Sequence, residues 1–94
     1  MHIIRYDSRV LLDLKRIDNS AKKRIRNSIE SKLATEPEIF GKPLRRSLIG
    51  FRVLRVGDYR VVFLLKGGAV LILIIGNREY IYKEAQKRLR DFAV

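Results

Sequence analysis

Between Gly41 and Arg60 the chain carries Lys42, Arg45, Arg46, Arg52, Arg55 and Arg60 against a single acid, Asp58. Arginine offers a planar fork of donors that stays charged and grips phosphate through paired hydrogen bonds. Arg78 follows, with Tyr82 four residues beyond it. Tyr59, Tyr80 and Tyr82 have rings that can stack on a base. A tyrosine among several arginines also has its phenolate favoured, which suits proton transfer. The competing structural role, rings packed at the core edge with hydroxyls in water, fits Tyr6 and Tyr80 better than Tyr59 and Tyr82. These residue types point to phosphate chemistry on a polyanion. The whole chain agrees: 21 Lys and Arg against 10 Asp and Glu give a net charge of +11. That excess costs self-repulsion in the folded state, which a nucleic acid would offset by phosphate neutralisation and counterion release. An acidic protein or an anionic membrane ranks behind nucleic acid.

Other chemistries lack their residues. There is no cysteine, so thiolate metal sites, disulfides and thiol nucleophiles are excluded. His2 is the one histidine, which removes multi-histidine zinc sites and a mid-chain serine–histidine pair. The basic strands carry no carboxylate cluster, so neither metal nor cofactor is expected. The longest apolar run, Ala69–Ile75, is too short to cross a bilayer. No secretory signal precedes the first strand-like segment. The expectation is a soluble, cytoplasmic protein with no membrane partner, folded as one domain over residues 1–94.

The elements that must position the basic residues follow from periodicity. His2–Tyr6 reads as a short strand. Asp7 or Ser8 can cap a helix whose stripe is Val10, Leu11, Leu14 and Ile17. Ser20 is the candidate cap for a second helix, with Ala21, Ile25, Ile29 and Leu33 every four residues and Pro37 marking its end. The two form a helical hairpin whose stripes leave little apolar surface to spare. Glu36–Pro43 reads as a loop. Phe51–Val56 and Tyr59–Leu65 then flank Gly57-Asp58, a two-residue hairpin signal. Ala69–Ile75 is a β-branched run expected to be covered on both faces. A last helix begins near Tyr80–Tyr82 and carries Ala85, Leu89 and Phe92. The class is α+β: an N-terminal strand, a helical hairpin, a three-stranded antiparallel meander and a C-terminal helix, in the order β-α-α-β-β-β-α.

The Gly57-Asp58 turn fixes a register. Val56 faces Tyr59, Arg55 faces Arg60, Leu54 faces Val61, Val53 faces Val62 and Arg52 faces Phe63. Opposed residues share a face. Leu54, Val56, Tyr59, Val61 and Phe63 then form one face with Arg52 at its edge. Arg55 and Arg60 lie side by side on the other, with Val53 and Val62 behind. Opposed like charges destabilise a sheet, so this pair is either exposed or made to hold something negative. Arg78 would leave the sheet close to Arg60, bringing several guanidinium groups onto one patch.

The strings Lys42-Pro43-Leu44-Arg45, Gly50-Phe51-Arg52 and Leu54-Arg55-Val56-Gly57-Asp58-Tyr59-Arg60, with the closing stretch Arg78-Glu79 through Tyr82, resemble the RelE/ParE toxin superfamily of bacterial toxin–antitoxin systems. The likeness covers essentially the whole chain and implies a small microbial-ribonuclease-like fold. RelE-like members cut mRNA in the ribosomal decoding site of the 30S subunit; ParE-like members poison DNA gyrase. The closing arginine and tyrosine resemble the RelE side. The resemblance then implies a catalytic set of Arg60, Arg78, Tyr82 and Arg52. Arg60 would stabilise the scissile phosphate, Arg78 the leaving oxygen, and Tyr82 would help activate the ribose hydroxyl or position the base. Arg45 and Arg52 would bind backbone, with Lys42, Arg46, Arg55 and Tyr59 completing the RNA contacts. Two positions depart from the pattern. Asn77 stands where many nuclease members have a histidine, and Arg52-Val53-Leu54 replaces a stretch in which RelE has two lysines. Arginine cannot act as a general base near neutral pH. Base duty therefore falls on Tyr82, on the ribosome, or is absent. The implied partner is an acidic cognate antitoxin, wrapping a toxin that is monomeric when free, in an assembly such as a heterotetramer. It would cover the arginine face, displace the C-terminal helix, or both. A gyrase inhibitor and a non-catalytic basic module that binds nucleic acid or antitoxin are the alternative readings.

Overall fold

The structure, a computed structural model, describes residues 2–40, 42–43 and 50–92. Its frame is a sheet of five strands in the order β1-β5-β4-β3-β2. Strands β3 (Phe51–Val56), β4 (Tyr59–Lys66) and β5 (Ala69–Asn77) form the expected antiparallel meander. The sheet is wider than the meander. β1 (Ile3–Tyr6) runs parallel to β5, and the short β2 (Lys42–Pro43) pairs with β3 inside the stretch read as a loop. A one-turn helix α3 (Pro37–Phe40) occupies the rest of that stretch.

The first helix is shorter than its apolar stripe. α1 is Val10–Leu14, and Arg16 and Ile17 continue only as turns, their N–H groups donating to the carbonyls of Asp13 and Leu14. Neither cap candidate holds the position: the residue before α1 is Arg9, which makes no side-chain cap, and Asp7 accepts from the Arg9 N–H at 2.9 Å. α2 (Asn19–Ser28) is capped not by Ser20 but by Asp18, whose carboxylate accepts from Ala21 N at 2.7 Å. An extended residue before the helix is the one whose side chain can turn back onto its first N–H groups; Asp18 has ψ 162° and Ser20 is already helical. The helix widens to a π-helical turn at Ile29–Leu33.

Helices cover both faces of the sheet. Val10, Ile17, Ala21, Ile25, Ile29 and Leu33 pack against Leu54, Val56, Val61, Phe63, Val70, Ile72 and Ile75. On the opposite face Ile81, Ala85 and Leu89, from α4 (Arg78–Arg88) and the turn after it, cover Phe51, Val62, Leu73 and Ile74. The register slips between Val62 and Phe63: Val62 pairs with Ile74 but Phe63 with Ile72, so Leu73 is the extra residue of a β-bulge. The bulge turns Leu73 and Ile74 to the same face, so the run 70–75 is apolar without alternation. The helical stripe does leave surface to spare. Leu11 (67% exposed), Leu12 (59%) and Tyr6 (48%) face solvent. Tyr6, Leu11, Leu14, Ile25 and Ile29 line a groove of about 650 Å³ between α1 and α2.

β5 outruns β1. The last bond between them is Asp7 N to Ile72 O, which leaves the edge of β5 bare from Leu73 onward. Asp13, wholly buried, accepts there from Ile75 N at 3.0 Å. Arg88 reaches the same edge from α4: Nη1 donates to Leu73 O at 2.9 Å, and its two terminal nitrogens grip Asp13 at 2.7 and 3.0 Å. Glu84 takes a further bond from Arg88 at 2.8 Å, and the Tyr80 hydroxyl donates to Asp13 at 2.5 Å. Burial opposes the charge on Arg88, yet Asp13, with Glu84 and Tyr80, more than offsets it and holds the guanidinium above its ordinary pKa. Beyond this clamp, Arg9 bridges Asp7 and Asp91 at 2.9 and 2.6 Å and ties down the residues after α4. Hydrogen bonding to Arg9 lowers the Asp7 carboxyl below its usual pKa.

Removing Asp13 leaves a buried guanidinium and the Ile75 N–H without their partner. Asp13→Ala is expected to cost about 3–5 kcal/mol in a denaturant titration; a cost below ~1 kcal/mol would show that the clamp does not hold α4. Tyr80 supplies a pH test. Burial, then its bond and proximity to Asp13, raises its phenol above the ordinary value. A raised phenol contributes stability that is complete below about pH 10 and is lost as pH rises through the folded value. Ultraviolet titration should show late-ionising phenols, with Tyr6, also raised by burial, the other one. Tyr80→Phe should remove one of them and flatten the loss of stability on the alkaline side.

Candidate nucleic-acid interface

The β3–β4 hairpin turns at Gly57, with φ 59°, a conformation that glycine adopts without strain. The register is the one the turn predicts, from Val56 opposite Tyr59 to Arg52 opposite Phe63. Arg55 and Arg60 are therefore cross-strand neighbours on the α4 side of the sheet, while Val62 behind them is buried under α4. Arg55 is exposed and Arg60 half-buried. Arg60 Nη1 curls over the turn toward the carbonyls of Tyr59 (3.2 Å) and Gly57 (3.4 Å).

The end of β5 brings the closing residues to the same place. Arg60 pairs with Gly76 and Tyr59 with Asn77, and α4 starts at the next residue, Arg78. Gly76 is required by contact: a Cβ there would collide with Tyr80 Cδ2, so the edge of the Tyr80 ring lies against the strand. Asn77 is the helix cap, its Oδ1 accepting from Tyr80 N at 2.8 Å. One turn on, the Arg78 guanidinium sits 5.7 Å from the centre of the Tyr82 ring, and that ring is 59% exposed. Arg55, Arg60 and Arg78 pair with no carboxylate among the described residues.

Not every expected residue joins this patch. Arg52 shares a face with Leu54 and Val56, opposite to Arg55 and Arg60, and its Nη1 contacts Glu38 O at 3.4 Å. Alternation alone forbids it from converging with Arg60. Tyr59 also lies on the helical-hairpin side, half-buried against the core. Lys42 is placed by its backbone opposite Val53. Arg45 and Arg46 lie outside the described residues. Tyr80 does not keep its hydroxyl in water but spends it on Asp13. Asp13 and Arg88, which hold α4 in place, carried no signal beyond being charged residues on apolar helices. Among the described residues no three His, Asp or Glu side chains gather where a metal ion could sit, and no helix is long and apolar enough to cross a membrane.

Comparison with known proteins defines the class. Residues 4–82 match the family described as ParE toxin of type II toxin–antitoxin system, parDE, and the chain belongs to that family, within the RelE/ParE superfamily. In particular it is similar to a chain of the toxin–antitoxin complex RelBE2 from Mycobacterium tuberculosis, at 28% identity and TM-score 0.77, over 82% of this chain and 98% of that one. The fold is shared with a chain of the RelB–RelE antitoxin–toxin complex from Methanococcus jannaschii (20% identity, TM-score 0.68, 85% and 96% covered). It is also shared with YafQ from E. coli strain BL21(DE3) (18% identity, TM-score 0.62, 87% and 99% covered). A search of curated protein sequences returns no match.

Relieving the Arg55–Arg60 opposition gives a check on this geometry. Arg60→Ala should leave stability unchanged or slightly raised, by a few tenths of a kcal/mol. A clear loss in a thermal melt would mean that Arg60 serves the turn rather than a ligand.

Proposed function

We propose that this toxin is a metal-free endoribonuclease that cuts mRNA on the ribosome. The observation that carries the reading is the group Arg55, Arg60 and Arg78, unpaired among the described residues, beside an exposed Tyr82 at one end of the sheet. In the reaction the ribose 2′-oxygen attacks the adjacent phosphorus and the bond to the 5′-oxygen breaks. The proton of the 2′-hydroxyl passes to a base and the 5′-oxygen gains one, leaving a 2′,3′-cyclic phosphate and a 5′-hydroxyl. The pentacoordinate dianion needs fixed positive donors, and Arg60 and Arg78 would supply them. Tyr82 is the group in reach of Arg78 that can move a proton. Lys42, Arg52 and Tyr59 would act outside this centre, along the bound strand.

Tyr82→Phe removes only the hydroxyl. Proton transfer by Tyr82 predicts a fall of roughly 10²-fold or more in single-turnover cleavage on ribosomes with binding unchanged. Arg60→Ala should lose about 10²–10³-fold, or 3–4 kcal/mol of transition-state stabilisation. A folded Arg60→Ala chain cutting at the parent rate would overturn the assignment. The second reading, inhibition of DNA gyrase, is favoured by the family match itself, since ParE-like members act there. Inhibited supercoiling without new 5′ ends in cellular mRNA would establish it.

The partner proposed for the cell is an acidic antitoxin, the role suggested by similar proteins solved as toxin–antitoxin complexes. The groove between α1 and α2 fits such a partner: Leu11, Leu14 and Ile25 offer an apolar floor, and Lys22, Lys23 and Arg26 a basic rim. The clamp on α4 favours covering over displacement of that helix. Leu11→Glu should weaken capture of the co-expressed antitoxin at least tenfold and leave cleavage intact. Undiminished capture would move the antitoxin elsewhere.

A further inference from the structure

Two arginines of the helical hairpin arrive at the same end of the sheet as Arg60 and Arg78. Arg24 Nη1 lies 3.4 Å from where a Cβ on Gly57 would stand, and Arg60 Nη1 lies 3.4 Å from Gly57 O on the same turn. The two guanidinium groups flank one turn from opposite faces of the sheet. Arg16 stacks 4.7 Å over the centre of the Tyr80 ring. That ring is fixed by Gly76 beneath it and by the hydroxyl bond to Asp13, so Arg16 rests on a rigid platform. Arg16, Tyr59, Gly76, Asn77 and Tyr80 border a small cleft, with Asp13 at its base. Its volume is about 140 Å³. At ~30 Å³ per water, that is room for a handful of waters or one phosphate group, and too little for a nucleotide.

The nearest acids are Asp13 and Asp18 in the chain and Asp58 on the turn, and none of them pairs with Arg16 or Arg24 among the described residues. The Asp13 carboxylate is taken by Ile75 N, Arg88 and Tyr80, and that of Asp18 by Ala21 N. Neither Arg16 nor Arg24 pairs with a carboxylate among the described residues. Bringing Arg24 and Arg60 to one turn, with Arg16 at the same end of the sheet, costs repulsion that a phosphodiester among them would reverse.

We propose that Arg16 and Arg24 form a second phosphate-binding arm, which takes the RNA backbone flanking the reacting phosphate as it crosses the end of the sheet. The proposal rests on the RNA-cleaving reading. It differs from that reading by routing the strand around the Gly57 turn onto the helical hairpin. Arg16 and Arg24 bind and position; the reacting atoms stay with Arg60, Arg78 and Tyr82.

The test is binding of a single-stranded 2′-O-methyl RNA, which lacks the nucleophile, followed by fluorescence anisotropy across a range of salt. Each lost phosphate contact should reduce the slope of log K against log salt by about 0.7. Arg16→Ala and Arg24→Ala are each expected to show that reduction, with a melting temperature near the parent's. Arg16→Lys should keep the parent slope. Lys66→Ala removes one charge from the opposite end of β4 and should leave the slope unchanged. Parent-like slopes for Arg16→Ala and Arg24→Ala, with the parent binding steeply, overturn the arm and leave the reaction centre standing. An equal reduction in Lys66→Ala also overturns it, since net charge would then explain the effect. A parent chain that ignores RNA and instead inhibits gyrase removes the RNA-cleaving reading, and the arm with it.

Discussion

β5 spans nine residues and β1 only four, so the last strand of the meander has a bare edge where its neighbour stops. Backbone N–H and C=O groups cannot be left dry and unpaired inside a protein. The molecule closes that edge with two side chains of opposite charge, Asp13 for the Ile75 N–H and Arg88 for the Leu73 carbonyl. A buried ion pair alone seldom adds net stability over apolar packing. This one does what apolar side chains cannot, because each partner also completes the hydrogen bonding of the sheet. It binds α1, β5 and α4 into one unit, and so fixes the direction in which Arg78 and Tyr82 leave the sheet. The bulge at Leu73 belongs to the same device, since it sets which backbone groups the bare edge presents.

The acids of the chain are scarce, and five of them are engaged in holding the fold, while Asp58 on the hairpin turn makes no ion pair among the described residues. Asp7 and Asp91 hold Arg9, Asp13 and Glu84 hold Arg88, and Asp18 caps α2. What remains at the Gly57 end is positive charge without a carboxylate partner among the described residues: Arg16, Arg24, Arg55, Arg60 and Arg78. A net charge of +11 spread evenly would speak only of solubility. Concentrated by the placement of a few carboxylates, it marks a candidate site for a polyanion. The division follows from packing, for the clamp and the Arg9 bridge draw acids toward the edge of β5 and the end of α4.

Local rules made much of this legible. Gly57-Asp58 dictates a two-residue turn, and the turn dictates every pair from Val56–Tyr59 to Arg52–Phe63, including the opposed arginines. The apolar run ending at Ile75 announces a strand covered on both faces. What stayed hidden depends on contacts distant in the chain. Asp13 sits on an apolar stripe and reads as a solvent-facing residue; only the early end of β1 makes it a core residue. Arg88, 75 residues away, is invisible for the same reason. The exposed Leu11 and Leu12 belong to a helix that stops after five residues, too short to bury its whole stripe. The convergence expected of Arg52 fails on strand alternation, which was already contained in the register.

Asn77 shows how the scaffold and the chemistry compete for one position. The Tyr80 ring, bonded through its hydroxyl to Asp13, presses its edge against the strand where a Cβ would stand, so position 76 is held to glycine, and α4 begins two residues later. That abrupt start leaves the first N–H groups of α4 without partners, and the Asn77 carboxamide takes one of them, an interaction worth about 1 kcal/mol relative to alanine. Imidazole is a poor group for that duty. Asparagine here therefore secures the helix on which Arg78 and Tyr82 stand, and it removes the base that a histidine would have offered beside them. On the proposed RNA-cleaving reading, proton transfer would fall one turn along α4, to Tyr82. Arg78 already sits against the face of that ring, and the helix that aims both residues is held at its far end by Arg88.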